Sequence, residues 1–229
     1  MSVYAGPNTT QSGLVLHIDP SNPRCYPGSG STLFDLSENG NNGTLTNGAS
    51  VITNRAGRAL DFDGVNDLVD IGDVSIANFG TRSYTVSLWL RAAPFTAQRA
   101  IIAKDDWDLG TTGLLIYSNT SHPSVVFFYS SGTTGTSFGA IADSTWHHIA
   151  VTRESTATNA TRMYLDGRLI ATITDSLNYN NTRRLRLGND DDGNRSFLGQ
   201  LDDARIYSRA LSDSEILNNF NATRGRYGI

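Results

Sequence analysis

Carboxyl groups that could cleave a glycosidic bond are sparse in this sequence. Its only glutamates, Glu38, Glu154 and Glu215, lie far apart along the chain, and no Glu-x-Asp-x-Glu run occurs. Acid–base cleavage of a glycoside needs two carboxyl groups about 5–10 Å apart. Asp61 and Asp63 share one face of a predicted strand and are the pair of aspartates that could substitute for glutamates. Because no cluster of glutamates occurs, the sequence predicts a protein that is not an enzyme.

Two adjacent histidines and a single cysteine add little chemistry. Consecutive residues of a strand point to opposite faces, so His147 and His148 are not expected to bind one metal ion together. We expect one of them to be half-buried and the other to be solvated. Cys25 is the only cysteine, which excludes a disulfide within the chain, and we expect its thiol to be inert.

Aromatic side chains offer a candidate platform for a ligand. Sugar sites combine an aromatic ring with a few polar groups. Trp107, which lies among aspartates between two predicted strands, is the first candidate, and Tyr117 and Tyr129 could extend the platform. The alternative is that Trp107 anchors its loop over the core. Trp89 and Trp146 are expected to lie in the core.

Period-two alternation is the dominant pattern of the chain. In Tyr84–Arg91, the side chains of Tyr84, Val86, Leu88 and Leu90 share one face, which is typical of a strand. About a dozen such segments without helices between them predict an all-β antiparallel sandwich of the jelly-roll type. The other predicted strands are Gly13–Ile18, Ala59–Asp63, Leu68–Ile71, Ala100–Lys104, Gly113–Tyr117, Val125–Tyr129, Trp146–Arg153, Thr161–Leu165, Leu169–Thr174, Arg184–Leu187 and Leu198–Tyr207.

Turn and cap residues mark where these elements begin and end. Asp166 and Gly167 stand between two predicted strands, as in a type I′ hairpin turn, which needs two positive φ angles. Ser212 and Glu215 have the spacing of a capping box. This pair predicts one short C-terminal helix.

Length and charge limit the domain count and the partners. The chain has 229 residues and a formal net charge of −4, which disfavours nucleic acid and an anionic membrane as partners. We predict one domain over residues 13–222, with an arm over 1–12 and a tail over 223–229 that are disordered or docked on a partner. No signal peptide and no long apolar run is visible, so export by the usual route is not expected.

Six short motifs, each different, follow one another in a fixed order along the chain. They are Asp35–Leu45, Ala59–Gly64 continued by Asp67–Val69, Tyr84–Leu90, Trp146–Thr152, Met163–Gly167 and Gly199–Ser212. Together they resemble the laminin-G-like, concanavalin A-like family in its pentraxin-related branch, although Glu38 stands where that family usually has glycine. The opening segments Gly13–Asp19 and Cys25–Gly30 are similar to a version common in structural proteins of tailed phages.

The resemblance implies a structural calcium ion. Family members often hold one where the Asp35 loop meets the late strand, which implies Asp35, Asn39, Asn42 and Asp202 as ligands, since calcium takes carboxylate, amide and carbonyl oxygens. Asp202 is expected on a core-facing row with the residues two and four positions later. An Asx-turn network of the same loop groups is the alternative. With calcium bound, chelation by EDTA is expected to lower the melting temperature.

Charged residues elsewhere follow two patterns. The run Asp190-Asp191-Asp192 lacks the twelve-residue calcium-loop pattern, and we expect a solvated turn there.

Lys104 is the only lysine among 18 basic residues. The excess of arginine suits bidentate pairing with carboxylates, or it reflects genome composition.

These features predict a non-catalytic virion structural protein, namely a capsid decoration or fibre protein of a tailed phage. Its lectin-like sandwich would bind surface glycans. Its expected partners are other virion proteins and a host-surface polysaccharide, and homo-oligomers fit that role. We expect the chain to be made in the host cytoplasm and to reside in the virion. The alternative is a carbohydrate-binding module or adhesin domain of a secreted bacterial protein, which would be extracellular.

Overall fold

Two antiparallel sheets packed face to face make up a computed structural model that describes residues 8–105, 113–128, 136–155, 160–174 and 177–229. Among the described residues, each sheet has eight strands. The predicted all-β sandwich with one C-terminal helix is therefore confirmed.

The first sheet carries the helix on its outer face. Its strands, in the order in which they pair, are β14 (Arg168–Thr174), β13 (Ala160–Leu165), β12 (Trp146–Arg153), β7 (Tyr84–Arg91), β16 (Leu198–Tyr207), β5 (Gly57–Asp63) and β4 (Ser50–Asn54). The first half of β16 pairs with β5, and its second half pairs with β1 (Leu14–Ile18). The β13–β14 turn has φ of 49° at Asp166 and 76° at Gly167, as the hairpin prediction requires.

The second sheet forms the opposite layer. Its strands, in pairing order, are β11 (Thr136–Ala140), β10 (His122–Phe128), β9 (Leu114–Asn119), β8 (Arg99–Lys104), β15 (Leu185–Leu187), β6 (Leu68–Gly72), β3 (Gly43–Thr46) and β2 (Thr32–Leu33). A single 3-10 turn, Ser75–Ala77, follows β6 among the described residues. Strands β2, β3, β4 and β11 were not predicted, because they are short or lack an alternating apolar pattern.

The space between the sheets is filled by the side chains that alternation predicts. Tyr84, Val86, Leu88 and Leu90 of β7 are fully buried in one cluster. Each such side chain contributes about 1.5–3 kcal/mol when it leaves water. From the second sheet, the same cluster contains Val69, Ile71, Ile101, Ile102, Leu114, Ile116, Val126, Phe128, Leu185 and Leu187.

Helix α1 (Asp213–Tyr227) begins with the predicted capping box. The Ser212 hydroxyl accepts the Glu215 N–H at 3.3 Å, and the Glu215 carboxylate accepts the Ser212 N–H at 2.9 Å. At the other end, Gly228 adopts a left-handed φ of 79° as the C-cap. The predicted helix is therefore confirmed and spans four turns.

The helix buries the outer face of β7 and β12. The Trp89 ring lies 5.7 Å from Phe220 and 3.9 Å from Tyr227, centroid to centroid. Trp146 lies 5.1 Å from Tyr227. Both tryptophans are buried, as predicted, but they lie between the first sheet and α1 rather than between the two sheets.

The helix continues beyond the predicted boundary at residue 222. Tyr227 is 8% exposed, so residues 223–227 belong to the helical layer and do not form a separate tail. They continue the helix because the ring of Tyr227 packs on an apolar surface of the first sheet.

In the described part of the N-terminal arm, the Thr10 N–H donates to Asn219 Oδ1 at 2.7 Å, so the arm docks on this chain's own helix.

A β-bulge in β16 changes which residues face the helix. The register with β7 shifts between Asp202 and Arg205, and Asp203 has a φ of 48°. The extra residue moves Asp202 off the row of Ala204 and Ile206, which remain in the inter-sheet core. The expectation that Asp202 shares their core-facing row was therefore wrong, because alternation assumes an unbroken strand.

Candidate functional site

The Asp35 loop is folded by its own hydrogen bonds. One carboxylate oxygen of Asp35 accepts the N–H groups of His17 and Ser37, both at 2.9 Å. The other accepts the Ser37 hydroxyl at 2.7 Å and the Asn41 N–H at 3.1 Å. Asn42 Oδ1 accepts the Asp35 N–H at 2.9 Å. This is the Asx-turn alternative.

Asp202 is also fully engaged, but with the helix. One oxygen binds the Arg226 guanidinium and the Tyr227 hydroxyl, and the other accepts the Asp203 N–H at 2.8 Å. Burial raises the pKa of Asp202 to about 7, against the effect of the Arg226 charge. Asn39 uses its side-chain amide to donate to Ser37. Because the oxygens of Asp35, Asn42 and Asp202 already have donors, these residues do not fit a calcium ion.

Only one of the three residues predicted to form an aromatic platform lies among the described residues, and its ring is not exposed. Trp107 and Tyr129 lie outside the described residues. Tyr117 is 4% exposed and packs in a buried cluster with Ala100, Ala103 and Leu115. The prediction of Tyr117 as an exposed ring was therefore wrong, because the small alanines of β8 let its ring pack down on the sheet.

The second acidic run is paired with arginine. Asp190 is 1% exposed and pairs with Arg195, while Asp191 contacts Arg183 at 3.4 Å and Arg186 at 3.3 Å. Burial and the neighbouring carboxyl group raise the pKa of Asp190 to about 6. The solvated-turn prediction was wrong, because arginines that flank the run in sequence neutralise it.

The two histidines occupy different environments, and neither is solvated. His147 Nδ1 lies 2.9 Å from Asp166 and Nε2 lies 3.4 Å from Asp143. The hydrogen bond to Asp166 raises the pKa of His147. His148 is buried beneath α1 between Trp89 and Phe220, and burial lowers its pKa to about 4. The expectation of one solvated histidine was wrong because α1 covers the outer face.

His148 predicts a loss of stability in acid. Between pH 6.5 and pH 4 the unfolded chain binds a proton at this residue and the folded chain does not, so stability falls as pH falls. From pH 7.5 to pH 5, wild type is expected to lose about 2 kcal/mol more than His148→Leu. Urea unfolding of both proteins measures this difference, since other titrating groups contribute to both. Equal losses would contradict the assignment.

A cleft of about 490 Å³ lies on the outer side of the first sheet, at the end of β5, β16 and β7. Alternation places the cleft on the outer face, because its residues Asp61 and Asp63 flank Phe62, which points into the inter-sheet core. In the sheet register, Gln200 of β16 stands between Asp61 and Arg91. Three polar side chains from three neighbouring strands are thus in one row, about 4.8 Å apart from strand to strand.

The polar groups of the cleft are held in place by the sheet. The Gln200 amide donates to Asp61 Oδ1 at 3.3 Å, and Arg91 Nε donates to the Ser144 carbonyl at 2.8 Å. Asp63 Oδ1 accepts the Val65 N–H at 2.8 Å. The second carboxylate oxygen of Asp61 and the Nη groups of Arg91 have no hydrogen-bond partner among the described residues. These groups can accept and donate hydrogen bonds to a ligand.

An apolar wall borders this row. Leu198 is 47% exposed and lines the cleft, and Val65, in the adjacent turn, is 73% exposed. The combination of a few fixed polar groups and an apolar wall is suited to a ligand with both hydroxyl groups and apolar ring faces. Sequence analysis noted Asp61 and Asp63 but missed Arg91, Leu198 and Gln200. Only the cross-strand register brings them together.

Comparison with protein families and known structures places the fold. The model of the concanavalin A-like lectin/glucanases superfamily matches residues 62–217 of the chain, well over half of its length. The chain belongs to this superfamily. Among the described residues, the concanavalin A-like sandwich contains no helix that is long and apolar enough to span a membrane.

Several proteins share the superfamily fold at low sequence identity. The binding domain of Paraclostridial Mosquitocidal Protein 1 matches with a TM-score of 0.69 at 18% identity, over 92% of this chain and 52% of that chain. Domain 4 of AbnA, an extracellular arabinanase from Geobacillus stearothermophilus solved with arabinotriose, matches with a TM-score of 0.65 at 19% identity, over 92% and 99%.

A sequence relative points to the same fold in a much larger protein. Adhesion G-protein coupled receptor V1 of Danio rerio is 28% identical over 146 residues, which is 58% of this chain and 2% of the receptor. The chain therefore spans a small fraction of that relative and about half of the mosquitocidal binding domain. These likenesses establish the fold.

Proposed function

We propose that this lectin-like sandwich binds a carbohydrate chain in the cleft of Asp61, Arg91, Leu198 and Gln200, without cleaving it. The observation that carries the proposal is the cross-strand row of Asp61, Gln200 and Arg91, in which one Asp61 oxygen and the Arg91 Nη groups are left for a ligand beside an exposed apolar wall. Sugar hydroxyls can accept from the Arg91 Nη groups and donate to Asp61, while a ring face packs on Leu198. The likeness to an arabinanase domain solved with arabinotriose supports this ligand class.

We propose that binding in this cleft is not followed by cleavage of the glycan. Glycoside cleavage needs two carboxyl groups on either side of the scissile bond. The sequence has no Glu-x-Asp-x-Glu run, and Asp61 and Asp63 each accept a hydrogen bond from the protein that holds them as ligand-binding groups. Incubation with polysaccharides is expected to release no new reducing ends. Reducing ends that appear with wild type and not with Asp61→Asn would overturn this part of the proposal.

The glycan proposal predicts a loss of binding on mutation of the row. Asp61→Ala and Arg91→Ala each remove a charged hydrogen-bonding group, so we expect a 10- to 100-fold higher Kd, corresponding to about 1.5–3 kcal/mol. A glycan array identifies the ligand, and calorimetry measures the affinities. Arg168→Ala is the control, because Arg168 is exposed at the opposite edge of the same sheet.

The outcomes separate binding from folding. Melting temperatures of the three variants are expected to stay close to that of wild type, because the substituted side chains are at least partly exposed and have few protein contacts. Equal affinities of Asp61→Ala and Arg168→Ala would place the site elsewhere. Failure of wild type to bind any glycan on the array would refute the proposed function.

We further propose that the chain is displayed on the virion of a tailed phage, bound to capsid or fibre proteins. The similarity of Gly13–Asp19 and Cys25–Gly30 to phage structural proteins supports this setting. Mass spectrometry of purified particles is expected to detect the chain, and immunogold labelling to locate it. Particles that lack it would favour the second candidate, a carbohydrate-binding module or adhesin domain of a secreted bacterial protein, to which the extracellular arabinanase domain lends support.

A further inference from the structure

Negative charge is concentrated beneath the last turn of α1. One side-chain atom from each of His17, Asp19 and Asp203 lies within 4.8 Å of the other two. Asp202, which precedes Asp203 in the β16 bulge, is 1% exposed. Three carboxylates in so small a buried volume require cations close by, because unpaired buried charge is strongly unfavourable.

Arg226 brings a cation to this cluster from the helix. Its Nη1 and Nη2 bind the two oxygens of Asp19 at 3.0 and 2.9 Å, and Nη2 also binds Asp202. Its Nε donates to the Ala56 carbonyl at 2.9 Å. All three nitrogens are therefore used, and the guanidinium bridges a residue just after β1 to a residue of β16.

Arg205 neutralises the remaining carboxylate. Its Nε and Nη2 bind the two oxygens of Asp203 at 2.8 and 3.1 Å, and His17 Nε2 contacts the same carboxylate at 2.8 Å. Three carboxylates thus face two permanently charged guanidinium groups and one histidine. Each carboxylate of the cluster therefore has at least one guanidinium partner without an added ion.

We infer that the Arg226 guanidinium takes the place of the structural calcium that the family resemblance implies, and that this sandwich is stable without a divalent cation. Arginine suits the role because its planar fork stays charged and can serve two carboxylates at once. The oxygens of Asp35 and Asp202 that would bind calcium are occupied by protein donors. Because this cation belongs to α1, Asp19 and Asp202 have their guanidinium partner only when α1 is docked.

The experiment compares metal dependence with dependence on Arg226. The melting temperature of wild type is expected to be the same, within about 1 °C, in calcium chloride and in excess EDTA. Arg226→Ala is expected to melt about 10 °C lower, since each kcal/mol shifts a domain of this size by about 2–4 °C. Arg226→Lys should fall in between, because it restores the charge but not the fork. Arg224→Ala, an exposed control on the same helix, should match wild type within about 2 °C.

A second background distinguishes charge pairing from packing. In an Asp202→Asn background there is one fewer carboxylate to neutralise, so Arg226→Ala is expected to cost less than in wild type. Equal cost in both backgrounds would overturn the inference, and so would a wild-type melting temperature that falls in EDTA or rises with calcium. If Arg226→Ala does not fold, Arg226→Lys is compared in the two backgrounds instead.

Discussion

Replacement of Asp203 by asparagine is expected to lower the free energy of unfolding by about 3 kcal/mol, because it leaves a buried guanidinium without its carboxylate. Arg205 is 5% exposed and Asp203 is 4% exposed. Burial alone would raise the pKa of Asp203, but Arg205 and His17 hold that pKa well below its usual range. The folded state therefore depends on the Asp203 negative charge.

Asparagine is the informative substitution at this bulge. It tolerates the left-handed φ of 48° and keeps the shape of the side chain, so the loss reports charge rather than backbone strain. Urea unfolding followed by tryptophan fluorescence measures it. The double variant Asp203→Asn with Arg205→Met is expected to be more stable than Asp203→Asn alone, since both members of the pair are then uncharged. A double variant less stable than the single one would contradict this account.

The strands were predictable where the chain follows a simple period. The strands Tyr84–Arg91 and Trp146–Arg153 begin and end at the predicted residues. Alternation predicts them well because burial determines the residue types on both of their faces. The two-residue strand β2 and the glycine-containing β3 leave no such pattern, since pairing with a neighbour alone defines them.

Errors at the charged residues have a different cause. Period two placed Asp202 in the core, and a single extra residue in β16 reversed that placement. The bulge was not predicted, because no glycine marks it in the sequence and Asp203 contacts His17, which lies 186 positions away along the chain. Calcium was expected from the family resemblance, and the sequence of the Asp35 loop does not show the protein donors that its carboxylate and amide oxygens have in the structure.

The cleft could not be predicted from the sequence, because its residues are far apart along the chain. Asp61, Arg91 and Gln200 come from three strands that become neighbours only when β16 inserts between β5 and β7. The aromatic residues suggested instead are the usual signal of a sugar site, but the one that can be placed, Tyr117, is buried. A site made by register rather than by a motif needs the sheet order to be known.

The strongest effect is expected from truncation at the boundary that the sequence predicts. A chain that ends at residue 222 lacks Tyr227, whose ring stacks on Trp89 at 3.9 Å, and Thr223, whose hydroxyl lies 3.1 Å from Trp89 Nε1. It also lacks Arg226, so Asp19 and Asp202 lose their counterion. Together these losses should exceed about 5 kcal/mol, which is comparable to the whole stability of many domains.

The truncated chain is therefore expected to lack a cooperative unfolding transition at 25 °C and to lose the near-UV circular dichroism of its packed tryptophans. A chain that lacks only Ile229, which is 46% exposed, is the matched control and should unfold as wild type does. A sharp transition of the truncated chain at the wild-type urea concentration would show that α1 needs only its first ten residues to hold the outer face. Since the predicted boundary rests on local pattern and the contacts of Tyr227 are long-range, this experiment tests directly which of the two defines the domain.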